Sequence, residues 1–143
     1  MDFICQRELN LAPLKRGFHI ITYDVVRALP ELEQCAAGLL HLQLLHTSAS
    51  LTINESADPD VRGDMQAFFK RTVPDGAPYF NHILEGDDDM SAHILSSLLG
   101  QTLTLQVAHG HLVLGTWQAI YLGEHRAHAS GRSIMLLLEG KRT

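Results

Sequence analysis

The chain has 143 residues, of which 45% are hydrophobic, and its formal net charge is −5. This length and hydrophobic content suit one domain, residues 1–143, with its own core. The negative charge argues against a nucleic-acid backbone as the main partner, and no apolar run approaches the roughly 20 residues that span a bilayer, so we expect neither nucleic acid nor membrane as a partner.

The N-terminal segment carries no recognisable targeting signal. Residues 1–7 lack the basic-then-apolar pattern of a secretion signal. The two cysteines, Cys5 and Cys35, are too few for a disulfide framework. We therefore expect a reduced, cytoplasmic protein, and the sequence leaves open whether the two thiols ever pair.

The first half of the chain contains short candidate strands separated by one helix. Residues 18–26 are rich in β-branched and aromatic side chains and predict a strand. Residues 30–37 predict a short helix, because proline suits its first turn and acidic side chains lie near its N-terminus. The apolar run 39–45 predicts a strand that ends at His46, and residues 51–55 predict another after a polar corner.

Two longer helices follow in the middle of the chain. Asp58 can cap a helix whose first residue is Pro59, and apolar side chains then recur at helical spacing. Residues 72–78 read as a loop. The next helix is predicted over residues 89–99, with Gly100 as its end.

The last third of the chain predicts strands. These cover residues 103–108, residues 112–122 with a break near Gly115, and residues 133–138. The pair His109–Gly110 between two apolar strands is typical of a hairpin turn. Strands at both ends with helices between them predict an α+β fold, with a mostly antiparallel or mixed sheet and helices packed on it.

Histidine is unusually frequent, with nine residues in the chain. Three of them, His46, His82 and His93, stand in polar, turn-rich segments rather than on apolar stripes. Histidine is the commonest metal ligand and the side chain most easily used as an acid or base near neutral pH. These three histidines therefore mark the segments in which a functional site is expected.

The corner after His46 suits an anion. Small hydroxyl side chains such as Ser48, together with backbone N–H groups, can surround an anionic oxygen such as phosphate. Asn54 and Glu55 follow within one strand length. The alternative is a polar corner whose side chains satisfy only its own backbone.

The segment around His82 suits a metal ion. Glu85, the three aspartates 87–89 and His93 follow within twelve residues, and Asp89 and His93 are four apart on one helix face. Nitrogen and oxygen ligands of this kind fit zinc, and the carboxylates fit a harder cation. The alternative is a solvated acidic loop whose aspartates favour a helix N-terminus.

The other polar candidates are less specific. Trp117 and Gln118 lie in a break between strands and could line a pocket or fill the core. Glu124 and Arg132 could form an anion clamp or an internal ion pair. His125 stays open.

The order and spacing of these motifs resemble those of the YjbQ-like proteins, a family described as secondary thiamine-phosphate synthase enzymes. The resemblance covers nearly the whole chain. The matching segments are residues 46–55, 58–62, 82, 85–86, 92–94, 97–100, 114–122 and 124–126.

This resemblance implies a homotrimer whose site lies near subunit boundaries and binds a small phosphorylated metabolite. The implied metal or anion ligands are His46, His82 and His93, and the expected metal is a divalent ion, zinc before magnesium. The implied substrate-binding residues share these same motifs and are Ser48, Asn54, Trp117, Gln118, Glu124 and Arg132. The implied function is a thiamine-phosphate synthase-like transferase. The alternatives are a metal-assisted hydrolase, with Glu55 or Glu85 as base, and a non-catalytic trimer that binds a metal or a phosphometabolite.

Overall fold

The structure, a computed structural model, describes residues 3–143. Within that range pairs of strands and pairs of helices follow one another, and the chain ends with four strands. The elements are β1 (Phe3–Leu11), β2 (Gly17–Ile20), α1 (Thr22–Ala28), a 3-10 helix (Pro30–Gln34), β3 (Cys35–Leu44), β4 (Ala49–Glu55), α2 (Pro59–Thr72), α3 (Asp87–Leu99), β5 (Thr102–Ala108), β6 (His111–Leu112), β7 (Gln118–Glu124) and β8 (Arg132–Arg142).

Two antiparallel sheets build the fold. The larger has the strand order β1-β8-β3-β5-β6, and the smaller has the order β2-β7-β4. The main core joins them, with every second side chain of β8, such as Leu136, buried together with Leu51 of β4 and Leu122 of β7. Fully burying one such side chain contributes roughly 1.5–3 kcal/mol.

The helices α2 and α3 cover the smaller sheet. Ala119 and Tyr121 alternate along β7 with the side chains of the main core and form a second cluster with Phe18 of β2. Met65 and Phe69 of α2 pack against this cluster. The smaller sheet is thus buried on both faces, and α3 lies beside its edge strand β4.

The α+β class and the mostly antiparallel pairing are confirmed. Helix α2 begins at Pro59 as predicted, and the side chain of Asp58 accepts a hydrogen bond from the backbone N–H of Asp60. The turn at His109 and Gly110 is also confirmed, with φ of 51° and 79°, the left-handed geometry that a tight hairpin requires.

One predicted strand is mostly a helix. The strand β2 ends at Ile20, and α1 occupies most of the remaining residues that were predicted as strand. Ile21, Val25 and Leu29 are four apart and all enter the main core, so helical packing overrides the strand preference of β-branched side chains. The sequence prediction was wrong here.

Other boundaries also differ. The predicted helix over residues 30–37 is a 3-10 helix that ends at Gln34, and Gly38 lies inside β3, where a side chain would collide with the carbonyl of Glu139. Strand β1 was not predicted. Within residues 3–143, no helix is both long and apolar enough to cross a membrane.

Candidate metal centre

Three side chains converge at the N-terminus of α3. The ligand atoms of His82, Asp89 and His93 all lie within 4.8 Å of one another. Asp89 Oδ2 is 2.6 Å from His82 Nε2 and 2.9 Å from His93 Nε2. We call this group the His–Asp–His cluster. One carboxylate oxygen is shared by two imidazole nitrogens, which is a geometry suited to a common cation.

Local structure explains how the cluster assembles. Asp89 and His93 are four apart in α3, so they lie on one face of the helix. Gly86, with φ of 106°, turns the chain from the loop that carries His82 into this helix. The Asp89 side chain is 3% exposed and the His82 side chain is 43% exposed. The cluster therefore has a buried carboxylate at its base and opens to solvent on the His82 side.

The ring of His93 is held in one tautomer. Its Nδ1 is 2.8 Å from the carbonyl oxygen of Thr47, which can only accept, so Nδ1 carries a hydrogen. In a neutral ring the Nε2 lone pair then faces Asp89 Oδ2. Two electron-rich atoms at this distance require a proton or a metal ion between them. A backbone carbonyl on the far nitrogen is also the usual partner of a metal-bound histidine.

The charge state of Asp89 suits a ligand. Burial opposes ionisation of this carboxyl, but the hydrogen bond with His82 and the interactions with His93 and Arg126 outweigh it. The pKa of Asp89 therefore lies below its ordinary value. Arg126 Nη1 donates to the other oxygen, Oδ1, at 2.6 Å, which leaves Oδ2 facing the two histidines.

The separations within the cluster are close to those around a metal ion. Zinc lies about 2.0–2.2 Å from nitrogen and oxygen ligands, so two atoms on one tetrahedral ion are roughly 3.3–3.6 Å apart. The His82–Asp89 and His93–Asp89 separations of 2.6 and 2.9 Å are hydrogen-bond distances and shorter than this. The cluster would hold a divalent ion if both imidazoles moved away from Asp89 Oδ2 by roughly 0.4–1 Å.

The structure brings together two of the three predicted histidines, His82 and His93. His46 lies apart from the cluster, and its Nε2 accepts a hydrogen bond of 2.8 Å from the backbone N–H of Ser133. Burial and the charge of Arg132 lower the pKa of His46, which favours the neutral acceptor form. The third side chain beside His82 and His93 is Asp89.

Of the two predicted bases, only Glu85 lies on the loop that carries His82. The carboxylate of Glu55 accepts hydrogen bonds from the backbone N–H groups of Ala57 and Asp58, at 3.0 and 2.9 Å, and so holds the turn into α2. The neighbouring Asn54 side chain accepts from the N–H of Glu55. Glu85 has an exposed side chain on the loop that carries His82.

Glu124 and Arg132 form an internal ion pair, the second of the two alternatives predicted for them. Arg132 Nε and Nη2 lie 2.8 and 2.6 Å from the two carboxylate oxygens, and both residues are buried. Arg132 also donates to the carbonyl oxygen of Ser48 at 3.2 Å. The guanidinium of Arg132 is therefore already bonded to groups inside the protein.

Trp117 lies in the turn before β7, and Gln118 is the first residue of that strand. The side-chain oxygen of Gln118 accepts a 2.8 Å hydrogen bond from the backbone N–H of Gly115. The Trp117 side chain does not fill the core, because the residue is 63% exposed. The structure joins neither residue to the His–Asp–His cluster.

Sequence reasoning missed the role of His125. Its Nε2 is 2.8 Å from Ser50 Oγ, and its ring packs edge-on against Phe18 with centroids 5.9 Å apart. Burial lowers the pKa of His125 to about 4. Gly123 makes room for this pair, because a side chain there would collide with Ser50 Oγ. The signal available in the sequence was the small residues Ser50 and Gly123, which leave room for a buried ring.

Comparison with known proteins identifies the family. Residues 7–141 match the family model described as UPF0047 protein YjbQ-like. The chain is 54% identical over 136 residues to the UPF0047 protein YjbQ of Salmonella typhimurium, covering 95% of this chain and 98% of the relative. It is 51% identical over 136 residues to the protein of the same name from Escherichia coli O157:H7, with the same coverage of both chains.

Solved structures agree with this fold. An uncharacterised YjbQ/UPF0047 protein from Clostridium acetobutylicum has a TM-score of 0.81 at 32% identity, covering 93% of this chain and 99% of the other. A protein of unknown function from Sulfolobus solfataricus P2, at 23% identity, shares the fold with a TM-score of 0.84 and covers 97% of this chain and 99% of its own. The chain therefore belongs to the YjbQ-like UPF0047 family.

Proposed function

We propose that this protein is a metal-dependent hydrolase of a small phosphorylated metabolite, with His82, Asp89 and His93 as the ligands of one divalent ion. The observation that carries the proposal is the orientation of His93. Its Nδ1 donates to the Thr47 carbonyl, so in the neutral ring its Nε2 lone pair points at a carboxylate oxygen that a second imidazole also approaches. Either a proton or a metal ion must lie between these atoms, and one metal ion would satisfy both imidazoles and the carboxylate at once.

The ligand chemistry favours zinc. Two imidazoles and one carboxylate suit zinc or a neighbouring transition metal, whereas magnesium prefers oxygen ligands and keeps several waters. Three protein ligands with a solvent-facing side leave one coordination position open, as in catalytic rather than structural zinc sites. An ion held this way supplies Lewis-acid activation of a bound water.

The residues of the chain then take distinct tasks. Asp89 and His93 hold the ion from α3, and His82 holds it from the loop. Glu85 is the candidate base, because it lies three residues after His82 with its side chain exposed. Arg126 and Arg132 are both paired with carboxylates, so a substrate phosphate would bind mainly through the ion.

The thiamine-phosphate synthase-like transferase is the second candidate, and it comes from the family resemblance. Departure of pyrophosphate usually calls for magnesium held by carboxylates. Glu85 and Asp87 are exposed carboxylates within four residues of Asp89 in the chain and are the candidates to hold such an ion. We also propose, on the same resemblance, that the protein is a homotrimer with its sites near subunit boundaries.

Metal analysis and an activity screen test the proposal together. Protein purified without a histidine tag should carry close to one transition metal per chain after reconstitution. It should hydrolyse at least one member of a phosphoester panel that also includes thiamine precursors. His93→Ala should lose both metal and activity. His41→Ala removes a histidine of similar exposure on the larger sheet and should lose neither.

The outcomes separate the candidates. Turnover only of thiamine precursors, with magnesium as the preferred ion, would replace the hydrolase by the transferase. Stoichiometric metal without turnover of any compound would leave a non-catalytic metal-binding protein. A wild-type protein that binds no metal would overturn the proposal.

A further inference from the structure

We infer that Arg126 is a positioning residue of the metal centre, which fixes Asp89 and the His82 loop so that a single carboxylate oxygen faces the ion. The inference rests on the proposed function, because it concerns the same metal site. It goes beyond the ligands to the side chain that orients them.

The guanidinium of Arg126 makes three contacts in three directions. Nη1 lies 2.6 Å from Asp89 Oδ1, Nε lies 3.0 Å from Asp88 Oδ2, and Nη2 lies 2.9 Å from the carbonyl oxygen of Glu85. The planar, rigid fork of arginine is suited to several simultaneous bonds, and lysine cannot replace it geometrically. One side chain therefore contacts both segments that carry the cluster.

The contact with Asp89 determines how this residue can bind a metal. Since Nη1 occupies Oδ1, the carboxylate can offer only Oδ2 to an ion without losing a strong charge-assisted bond. Oδ2 is the oxygen that both histidines approach. Arg126 thus favours monodentate binding at the centre of the cluster.

The contact with Glu85 determines where the loop lies. His82 belongs to a loop without regular secondary structure, and the Arg126–Glu85 bond ties this loop three residues after the histidine. Without it, His82 would keep its hydrogen bond to Asp89 and its ring contact with His93, whose centroid is 5.4 Å away. The expected consequence is a looser and more variable third ligand.

Hydrogen bonds hold the backbone at Arg126 in place. Arg126 lies two residues after the buried Glu124, which is the last residue of β7. Glu124 Oε2 accepts a hydrogen bond from the backbone N–H of Arg126 at 3.1 Å. The next N–H, of Ala127, donates to Asp88 Oδ2 at 2.8 Å. Well-supported partners of this kind typically change metal affinity or activity by about 10–100-fold when removed.

Cobalt titration of purified, metal-free protein tests the inference. We expect Arg126→Gln to weaken Co²⁺ binding by about 10–100-fold and to change the visible absorption of the bound ion, because its coordination geometry changes. Arg126→Lys, which keeps the charge but not the fork, should fall between wild type and Arg126→Gln. It also serves if Arg126→Gln fails to fold.

Arg7→Gln is the matched control. Arg7 also bonds a carboxylate and a backbone carbonyl, those of Glu31 and Ala28, but on β1. It should bind Co²⁺ with wild-type affinity and spectrum. Wild-type affinity and spectrum in both Arg126 variants would overturn the inference alone. A wild-type protein that binds no Co²⁺ would overturn the proposed metal site and the inference together.

Discussion

Two neighbouring groups of polar side chains differ in how their hydrogen-bonding capacity is used. The first, which we call the closed cluster, consists of Ser50, Glu124, His125 and Arg132, all buried. Each of its side chains faces its own partner: carboxylate with guanidinium, and imidazole with hydroxyl. In the His–Asp–His cluster, by contrast, two imidazoles approach the same carboxylate oxygen.

This difference separates a structural role from a binding role. In the closed cluster every charge is neutralised inside the protein, so a ligand would have to break existing bonds. In the His–Asp–His cluster one oxygen is approached twice and the His82 ring is 43% exposed, so a cation can enter and satisfy all three groups. We therefore expect mutations of the closed cluster to change stability, and mutations of the other cluster to change metal binding.

The largest effect on stability is expected for Arg132→Ala. It leaves the carboxylate of Glu124 buried without its partner, and breaking a buried pair typically costs about 3–5 kcal/mol. Urea denaturation measures this loss. The control is Arg7→Ala, which removes a more exposed pair and should cost much less, because solvent screens exposed ion pairs. Equal losses in the two variants would contradict the closed cluster as a stability element.

The next effect depends on pH and concerns His125. Its pKa is about 4 in the folded protein and about 6.5 in an unfolded chain, so below pH 6.5 the unfolded state binds a proton that the folded state does not. Stability should therefore fall as the pH drops from about 6.5 to 4, by on the order of 3 kcal/mol.

The variant His125→Gln isolates this titration. It can keep a hydrogen bond to Ser50, and it should remove the part of the pH dependence that lies between 6.5 and 4. Melting temperatures across that range provide the measurement. If wild type and variant lose stability in parallel over this window, His125 is not the group responsible.

A smaller loss is expected for Gly123→Ala. The added methyl group would collide with Ser50 Oγ and crowd the ring of His125. Overpacking of this kind typically costs about 1–3 kcal/mol. Gly63→Ala is the control, because nothing lies near a side chain at that position of α2. Comparable denaturant midpoints for the two variants would argue against tight packing around the Ser50–His125 pair.

The smallest effect on stability is expected for His82→Ala. The ring is partly exposed on a loop, and Asp89 keeps its bonds to His93 and Arg126. The free energy of unfolding of the metal-free protein should fall by about 1 kcal/mol, the value of one hydrogen bond. Zinc affinity measured on the same sample should fall sharply. A large loss of stability with unchanged zinc affinity would reverse the roles assigned to the two clusters.

Much of the fold could be predicted from local signals. The Asp58–Pro59 start of α2 and the left-handed turn at His109 and Gly110 depend on residues adjacent in the chain. Helix α1 could not be predicted in this way. Its β-branched residues favour a strand locally, and only the burial of Val25 in the core between the sheets makes the helix the better choice.

The candidate site was predictable to a similar extent. His82 and His93 were identified because they share one short segment with several carboxylates. The choice between His46 and Asp89 depended on tertiary contacts, since β8 brings the N–H of Ser133 to His46 Nε2. The role of Arg126 depends on contacts with residues about 40 positions away in the chain, which spacing alone cannot reveal.

Zinc competition titration of Asp89→Ala and His46→Ala tests the central claim most directly. The claim is that the buried carboxylate of Asp89, and not the imidazole of His46, completes the metal site. We predict that Asp89→Ala no longer binds a stoichiometric zinc ion, whereas His46→Ala binds zinc as tightly as wild type. Tight binding by Asp89→Ala together with loss of binding by His46→Ala would contradict the claim.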